Sequence, residues 1–190
     1  MKRRSLLRLV AAGAAAGIPS AYPAAVMAAP PARPWKRWMP HDPQSTAAID
    51  HTAWDAVLAR YVSGHPDGIN RVAYGSVTAA DRAALDRYLD ALSATPIARF
   101  NRDQQFAFWV NLYNALTVRV VLDHYPVDSI RDIDISSGLF ADGPWGRDLI
   151  EVDGTALTLD DIEHRILRPL WRDPRIHYAV SCASLGCPNL

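Results

Sequence analysis

Residues 106–122 read FAFWVNLYNALTVRVVL, and the winding of this stretch decides the fold. At helical spacing its apolar side chains fall on nearly every side, the pattern of a helix buried in a folded interior. Pro126 limits how far that helix can run. Two amides interrupt the apolar surface. Asn111 and Asn114 lie three apart, on one face with Ala107 and Val118. A buried amide without a partner costs about 1–3 kcal/mol, so both need hydrogen bonds. Either they hold the backbone of a nearby loop, or they orient a catalytic group or bind a substrate amide.

Working outward, TAWDAVLARYV (52–62) carries Trp54, Val57, Leu58 and Tyr61 at helical spacing. GINRVAY (68–74) reads as a short strand. Thr78 followed by Asp81 is a cap with an acidic first turn, and predicts a helix to about Leu92. On the C-terminal side, Asp153-Gly154 between apolar runs predicts a hairpin. Thr158 and Asp161 repeat the cap pattern ahead of LDDIEHRILR, which Pro169 is expected to halt. RIHYAVS (175–181) reads as a strand by its branched and aromatic content. Helices first, then a hairpin, a helix and a strand define an α+β chain: a single mixed domain with a buried Asn-bearing helix, a β-hairpin and a small sheet.

Residues 1–28 are read as a signal peptide. Lys2, Arg3, Arg4 and Arg8 precede an Ala/Gly-rich run, and Val26-Met27-Ala28 offers small residues at cleavage spacing. Pro19, Pro23 and the Ala/Gly content argue against a permanent membrane anchor. RRSLLR also fits twin-arginine export. The expected location is periplasmic or secreted. Residues 29–48, rich in Pro, read as an arm or linker that Trp35 and Trp38 either dock on the domain or leave free. Residues 49–190 form the domain. Removing residues 1–28 takes four of the 20 basic side chains and none of the 20 acidic ones, leaving a net charge of −4. A mildly acidic chain without a basic tract argues against nucleic acid as partner. Two cysteines are too few for a disulfide-stapled scaffold.

Those cysteines, Cys182 and Cys187, close the chain in SCASLGCPNL. Three readings compete. A disulfide across the ASLG turn fits an oxidising compartment. Zinc would need His164 or His177 as further ligands, without a recognisable spacing. A catalytic thiol needs a base. His177 lies five before Cys182 on the predicted strand and so points to the opposite face, which leaves His164. Glu163 and His164, adjacent on a helix, point about 100° apart, so one can face the core while the other meets solvent. They cannot form a zinc pair of the HExxH type.

FWVNLYNALTVRVVL, LTLDDIEHRILRP and DPRIHYAVSCASLGCPNL together resemble the family called domain of unknown function 547, over roughly residues 50–190. The family occurs in exported bacterial proteins and in plant proteins with a coiled-coil region. The resemblance carries over Asn111 and Asn114, Glu163, His164 and Arg168, and Cys182. Cys187 matches a position where plant members have serine, which weakens an obligatory disulfide. Family members continue past CPNL, so a further C-terminal segment is expected. The resemblance implies no activity.

The function expected is a thiol-dependent hydrolase or acyl/amide transferase. Cys182 is its nucleophile, His164 its base, and Glu163 or an asparagine the orienter. Asn111, Asn114 and Arg168 bind or orient a small-molecule or peptide substrate, and no metal or other cofactor is required. A non-catalytic cell-envelope binding or scaffold module is the alternative.

Overall fold

The computed structural model describes residues 34–136, 143–184 and 186–190. The signal-peptide reading therefore lies outside the described residues. The elements in chain order are α1 (Thr52–Tyr61), β1 (Val62–Ser63), β2 (Arg71–Val72), α2 (Ala79–Ser93), α3 (Arg102–His124), β3 (Ile150–Val152), β4 (Thr155–Leu157), a π-helical segment (Asp161–Leu167) running directly into α4 (Arg168–Trp171), and α5 (Ile176–Ala179). Strands β1 and β2 pair antiparallel, as do β3 and β4. The domain is mixed α+β. No described helix is long and apolar enough to cross a membrane.

The buried helix is α3. Asn101 caps it, its side chain accepting from the Gln104 N–H at 3.0 Å. Phe108, Trp109, Leu112, Ala115, Leu116 and Val118 are all buried, covering several sides of the cylinder. At about 1.5–3 kcal/mol for each large side chain, this burial is the main source of cohesion. Helix α1 packs on α2, and both α2 and the π segment pack on α3. Val152, Leu157, Leu159, Ile162 and Ile166 close the core from the hairpin side.

The predicted caps form. Thr78 Oγ1 accepts from the Asp81 N–H at 3.1 Å, opening α2. Thr158 Oγ1 accepts from the Asp161 N–H at 2.9 Å, while the Thr158 N–H reaches Asp161 Oδ2 at 3.3 Å. Asp153 and Gly154, with φ of 47° and 70°, make the tight hairpin turn.

Two expectations are corrected. RIHYAVS is not a strand, since residues 176–179 form the short helix α5 and only Val180 onward is extended. Asp173-Pro174 is a turn signal that leads into it: Asp173 Oδ1 accepts from the Arg175 N–H at 2.9 Å, and its carbonyl from the Ile176 N–H at 3.2 Å. That local bonding outweighs the β preference of Ile176, Tyr178 and Val180. Nor does Pro169 halt its helix. The chain changes winding there, from π to α, and ends only at Arg172 in the left-handed region, φ 52°.

The Pro-rich arm docks from Pro34 onward. Trp38 is buried edge-on against Trp109, with ring centroids 5.1 Å apart. Gln105 Nε2 donates to the Pro40 carbonyl at 3.0 Å, and Arg37 reaches the hairpin turn at Asp153. Trp35 engages the π segment itself. Its backbone N–H donates to the Arg165 carbonyl at 3.1 Å, and the Arg165 guanidinium lies over its ring at 3.8 Å. Pro169 has no N–H to offer the carbonyl four residues before it, which is that of Arg165. The arm supplies the missing donor.

Candidate functional site

The chemistry-bearing residues of the second half converge on one cavity of about 250 Å³. Tyr113, Trp145, Asp160, Glu163, His164, Arg168, His177, Val180, Cys182 and Cys187 line it. Four pieces of backbone bring them together: α3, the loop at Trp145 ahead of β3, the π segment with its flanks, and the stretch through α5 to Cys187.

Glu163 and His164 share the cavity, against the expectation that they diverge, and the π winding adds Arg168 to them. The Arg168 N–H bonds the Glu163 carbonyl five residues back. The wider turn stacks residues i and i+5, which an α-helix would set about 140° apart. Arg168 Nε accordingly lies 3.4 Å from Glu163 Oε1. The glutamate side chain is only 13% exposed and the His164 side chain 8%. Residues four apart meet as well: Arg168 Nη1 lies 3.3 Å from His164 Nδ1, and His164 Nε2 lies 3.8 Å from Asp160 Oδ1.

The His164–Arg168 contact fixes a tautomer. A guanidinium can only donate, so His164 Nδ1 must be the acceptor, and in a neutral ring Nε2 then carries the proton. That proton faces Asp160. His164 in this arrangement has no free lone pair to act as a base. Burial, reinforced by the charges of Glu163 and Asp161 and opposed by His164, raises the Asp160 carboxyl above its ordinary value. Burial, with the Glu163 and Asp160 charges, likewise raises the Tyr113 phenol and keeps it neutral.

Asn114 holds the approach to Cys182. It is buried, donates through Nδ2 to the Ala179 carbonyl at 3.0 Å and accepts at Oδ1 from the Ser181 N–H at 2.8 Å. A single amide thus pairs with both sides of the extended turn that follows α5. Asn111, one turn earlier, is half-buried and does not line the cavity. Of the two amides, only Asn114 is part of the site.

Cys182 is joined to Cys187 in a disulfide, their Cα atoms 6.0 Å apart. The expectation of a free thiol at Cys182 is therefore corrected for this state. Ala183, directly after Cys182, has φ of 57°, and the compact turn this allows folds Cys187 back on its partner. Asn189 ties the following residues down: its Oδ1 accepts from the Asn70 N–H at 2.8 Å, and its Nδ2 donates to the Gly68 carbonyl at 2.9 Å.

His177 was set aside in the sequence because a strand would turn it away from Cys182. With α5 helical, it faces the cavity instead. Its Nδ1 lies 4.0 Å from Glu163 Oε1, and its side chain is 60% exposed. The Asp173-Pro174 turn signal was the sequence feature from which this could have been read. Asp160 and Tyr113 were also missed: both stand in the stretches that carry the family resemblance, but neither residue type is set apart there from a surface carboxylate or a core aromatic.

Residues 97–190 match the family model described as a protein of unknown function, DUF547. This part of the chain is a DUF547 domain. Every cavity residue lies within it, while α1, α2 and the docked arm precede the match, which begins later than the expected residue 50. No curated protein and no solved structure matches the chain.

Proposed function

We propose that the cavity is the working site of a thiol-dependent hydrolase or acyl/amide transferase, with Cys182 as nucleophile in the reduced protein. The observation that carries this reading is the convergence of Cys182, His164, Glu163 and Arg168 on one cavity, with Asn114 fixing the backbone just before the cysteine. A dithiol reductant first passes two electrons and two protons to the Cys182–Cys187 disulfide and itself becomes a disulfide. The Cys182 thiolate adds to the carbonyl carbon of an ester or amide, forming a C–S bond. Collapse expels the alcohol or amine with a proton from a cavity histidine. Water, or an acceptor amine, then takes the acyl group and restores the thiol. The cationic Arg168 nearby favours thiolate over thiol.

The test is the rate at which an alkylating agent labels Cys182 in the reduced protein, followed against pH. Half-maximal reactivity below the ordinary thiol value of about 8.5 is expected. A value at or above it overturns the reading. The disulfide supports a second reading in that event: a binding module for a small polar ligand, in which Cys182–Cys187 only braces the cavity wall.

Export completes the proposal. The basic start and Ala-rich run of residues 1–28 and a disulfide suited to an oxidising compartment support delivery to the periplasm, with cleavage near Ala28. N-terminal sequencing of periplasmic protein tests it, and an intact Met1 on cytoplasmic protein would overturn it.

A further inference from the structure

We infer that His177 is the base that takes the Cys182 proton, that Glu163 orients it, and that His164 serves the site as a neutral hydrogen-bond donor. The inference rests on the thiol reading above and assigns its roles. It starts from the two histidines' different surroundings. The acceptor nitrogen of His164 is occupied by Arg168, whose guanidinium can only donate. A base must offer a free lone pair, and His164 offers instead the N–H at Nε2. A neutral imidazole presenting an N–H is suited to polarising a carbonyl.

His177 has the opposite arrangement. Its Nδ1 faces Glu163 at 4.0 Å, so the carboxylate favours the tautomer with the proton on Nδ1 and leaves the Nε2 lone pair free. Catalytic contacts are often this long before substrate is bound. Glu163 is itself held by Arg168 at 3.4 Å, which fixes the carboxylate that orients the ring. The backbone completes the constellation. His177 on α5 and Cys182 are five residues apart, and Asn114 pins the stretch between them at the Ala179 carbonyl and the Ser181 N–H. Base and nucleophile are thereby held on one short, braced segment. The charged and titratable groups sharing their cavity are Asp160, Glu163, His164 and Arg168 from the site helix and Tyr113 from α3.

In the proposed step the sulfur's proton passes to His177 Nε2, giving a thiolate and an imidazolium paired with Glu163. After the carbonyl addition, the same proton leaves with the expelled alcohol or amine. His164 Nε2–H donates to the developing oxyanion and loses no proton.

The experiment uses the full chain carrying Cys187→Ser, so that all labelling by iodoacetamide occurs at Cys182. His177→Gln is expected to slow labelling at pH 6.5 about tenfold, the change in thiolate fraction for a shift of one pH unit in thiol ionisation. His164→Gln is expected to slow it less than threefold. The reverse ranking overturns the inference while leaving the thiol reading intact. An ordinary thiol profile in the Cys187→Ser parent overturns both. Histidine ring NMR supplies a second readout independent of any histidine variant. Adding Cys182→Ser to the parent should move the ring resonances of His177 and not those of His164, and a change confined to His164 overturns the assignment.

Discussion

Asn114→Ala removes a buried side chain that holds the segment between α5 and Cys182, and its cost can be worked from the structure. The wild-type amide makes two hydrogen bonds, to the Ala179 carbonyl at 3.0 Å and from the Ser181 N–H at 2.8 Å. Ser181 and Asn114 are both buried, so water cannot freely replace the lost partner. Each backbone group left unsatisfied costs about 1–3 kcal/mol, and partial exposure of one of them puts the total near 3 kcal/mol. For a domain of this size that lowers the melting temperature by about 6–12 °C. Urea unfolding of the oxidised protein measures the loss directly. Asn114→Asp separates the two bonds, because a carboxylate still accepts from Ser181 but repels the Ala179 carbonyl. Amide hydrogen exchange at Ser181 should accelerate strongly in the alanine variant and less in the aspartate one. A loss below about 0.5 kcal/mol for Asn114→Ala, or unchanged exchange at Ser181, would refute the role given to Asn114.

Three further outcomes are expected. His51 donates or accepts at Nδ1 with the Tyr88 hydroxyl at 2.6 Å, and burial lowers its pKa below 6.5 against the opposing charges of Asp55 and Asp50. A base with a depressed folded value contributes stability above pH 6.5 that is lost as pH falls through the folded value, so urea midpoints should drop below pH 6.5 in the wild type and less in His51→Gln. The raised Asp160 carboxyl works in the other direction, its ionised form being penalised above the unfolded value of 3.8. Asp160→Asn should therefore stabilise the domain at pH 7, with the gain shrinking as pH falls towards 3.8, as urea midpoints at several pH values would show. Trp35→Pro removes the N–H that serves the Arg165 carbonyl, whereas Trp35→Phe keeps it, and urea unfolding should find the proline variant about 1–2 kcal/mol less stable than the phenylalanine one.

Legibility in the sequence followed how local each determinant is. The caps at Thr78 and Thr158 and the Asp153-Gly154 turn were readable because each is closed by atoms within a few residues. The buried character of α3 was readable from its continuous apolar surface. The site was harder. Cys182, His164, Glu163, Arg168 and Asn114 were singled out by residue type and by family resemblance, and all five meet around the same cavity or its backbone. Asn111 was singled out on the same grounds and stands aside, since a face shared by two amides does not tell which one has a loop within reach. His177 was lost to a strand reading that weighed the β preference of its neighbours above Asp173-Pro174. The pairing of Cys182 with Cys187 was one of three open readings. Spacing permits it, but only the turn through Ala183 brings the sulfurs together.

The π segment was the feature least accessible from local pattern, and one of its hydrogen-bond partners lies far away in the chain. LDDIEHRILRP has ordinary helical periodicity, and nothing in it demands a wider turn. Pro169 deprives the Arg165 carbonyl of a donor, a defect that would ordinarily break the helix. Trp35, 130 residues earlier in the chain, fills the vacancy with its backbone N–H and covers Arg165 with its ring. The π winding sets Glu163 against Arg168, and Glu163, His164 and Arg168 line one cavity. A carboxylate that an α-helix would have set about 140° from Arg168 is thereby placed against both it and His177. Since the stretch matched by the DUF547 family begins at Ile97, the donor that stabilises its own site helix lies outside it. The described fold thus joins the matched stretch to the docked arm from Pro34.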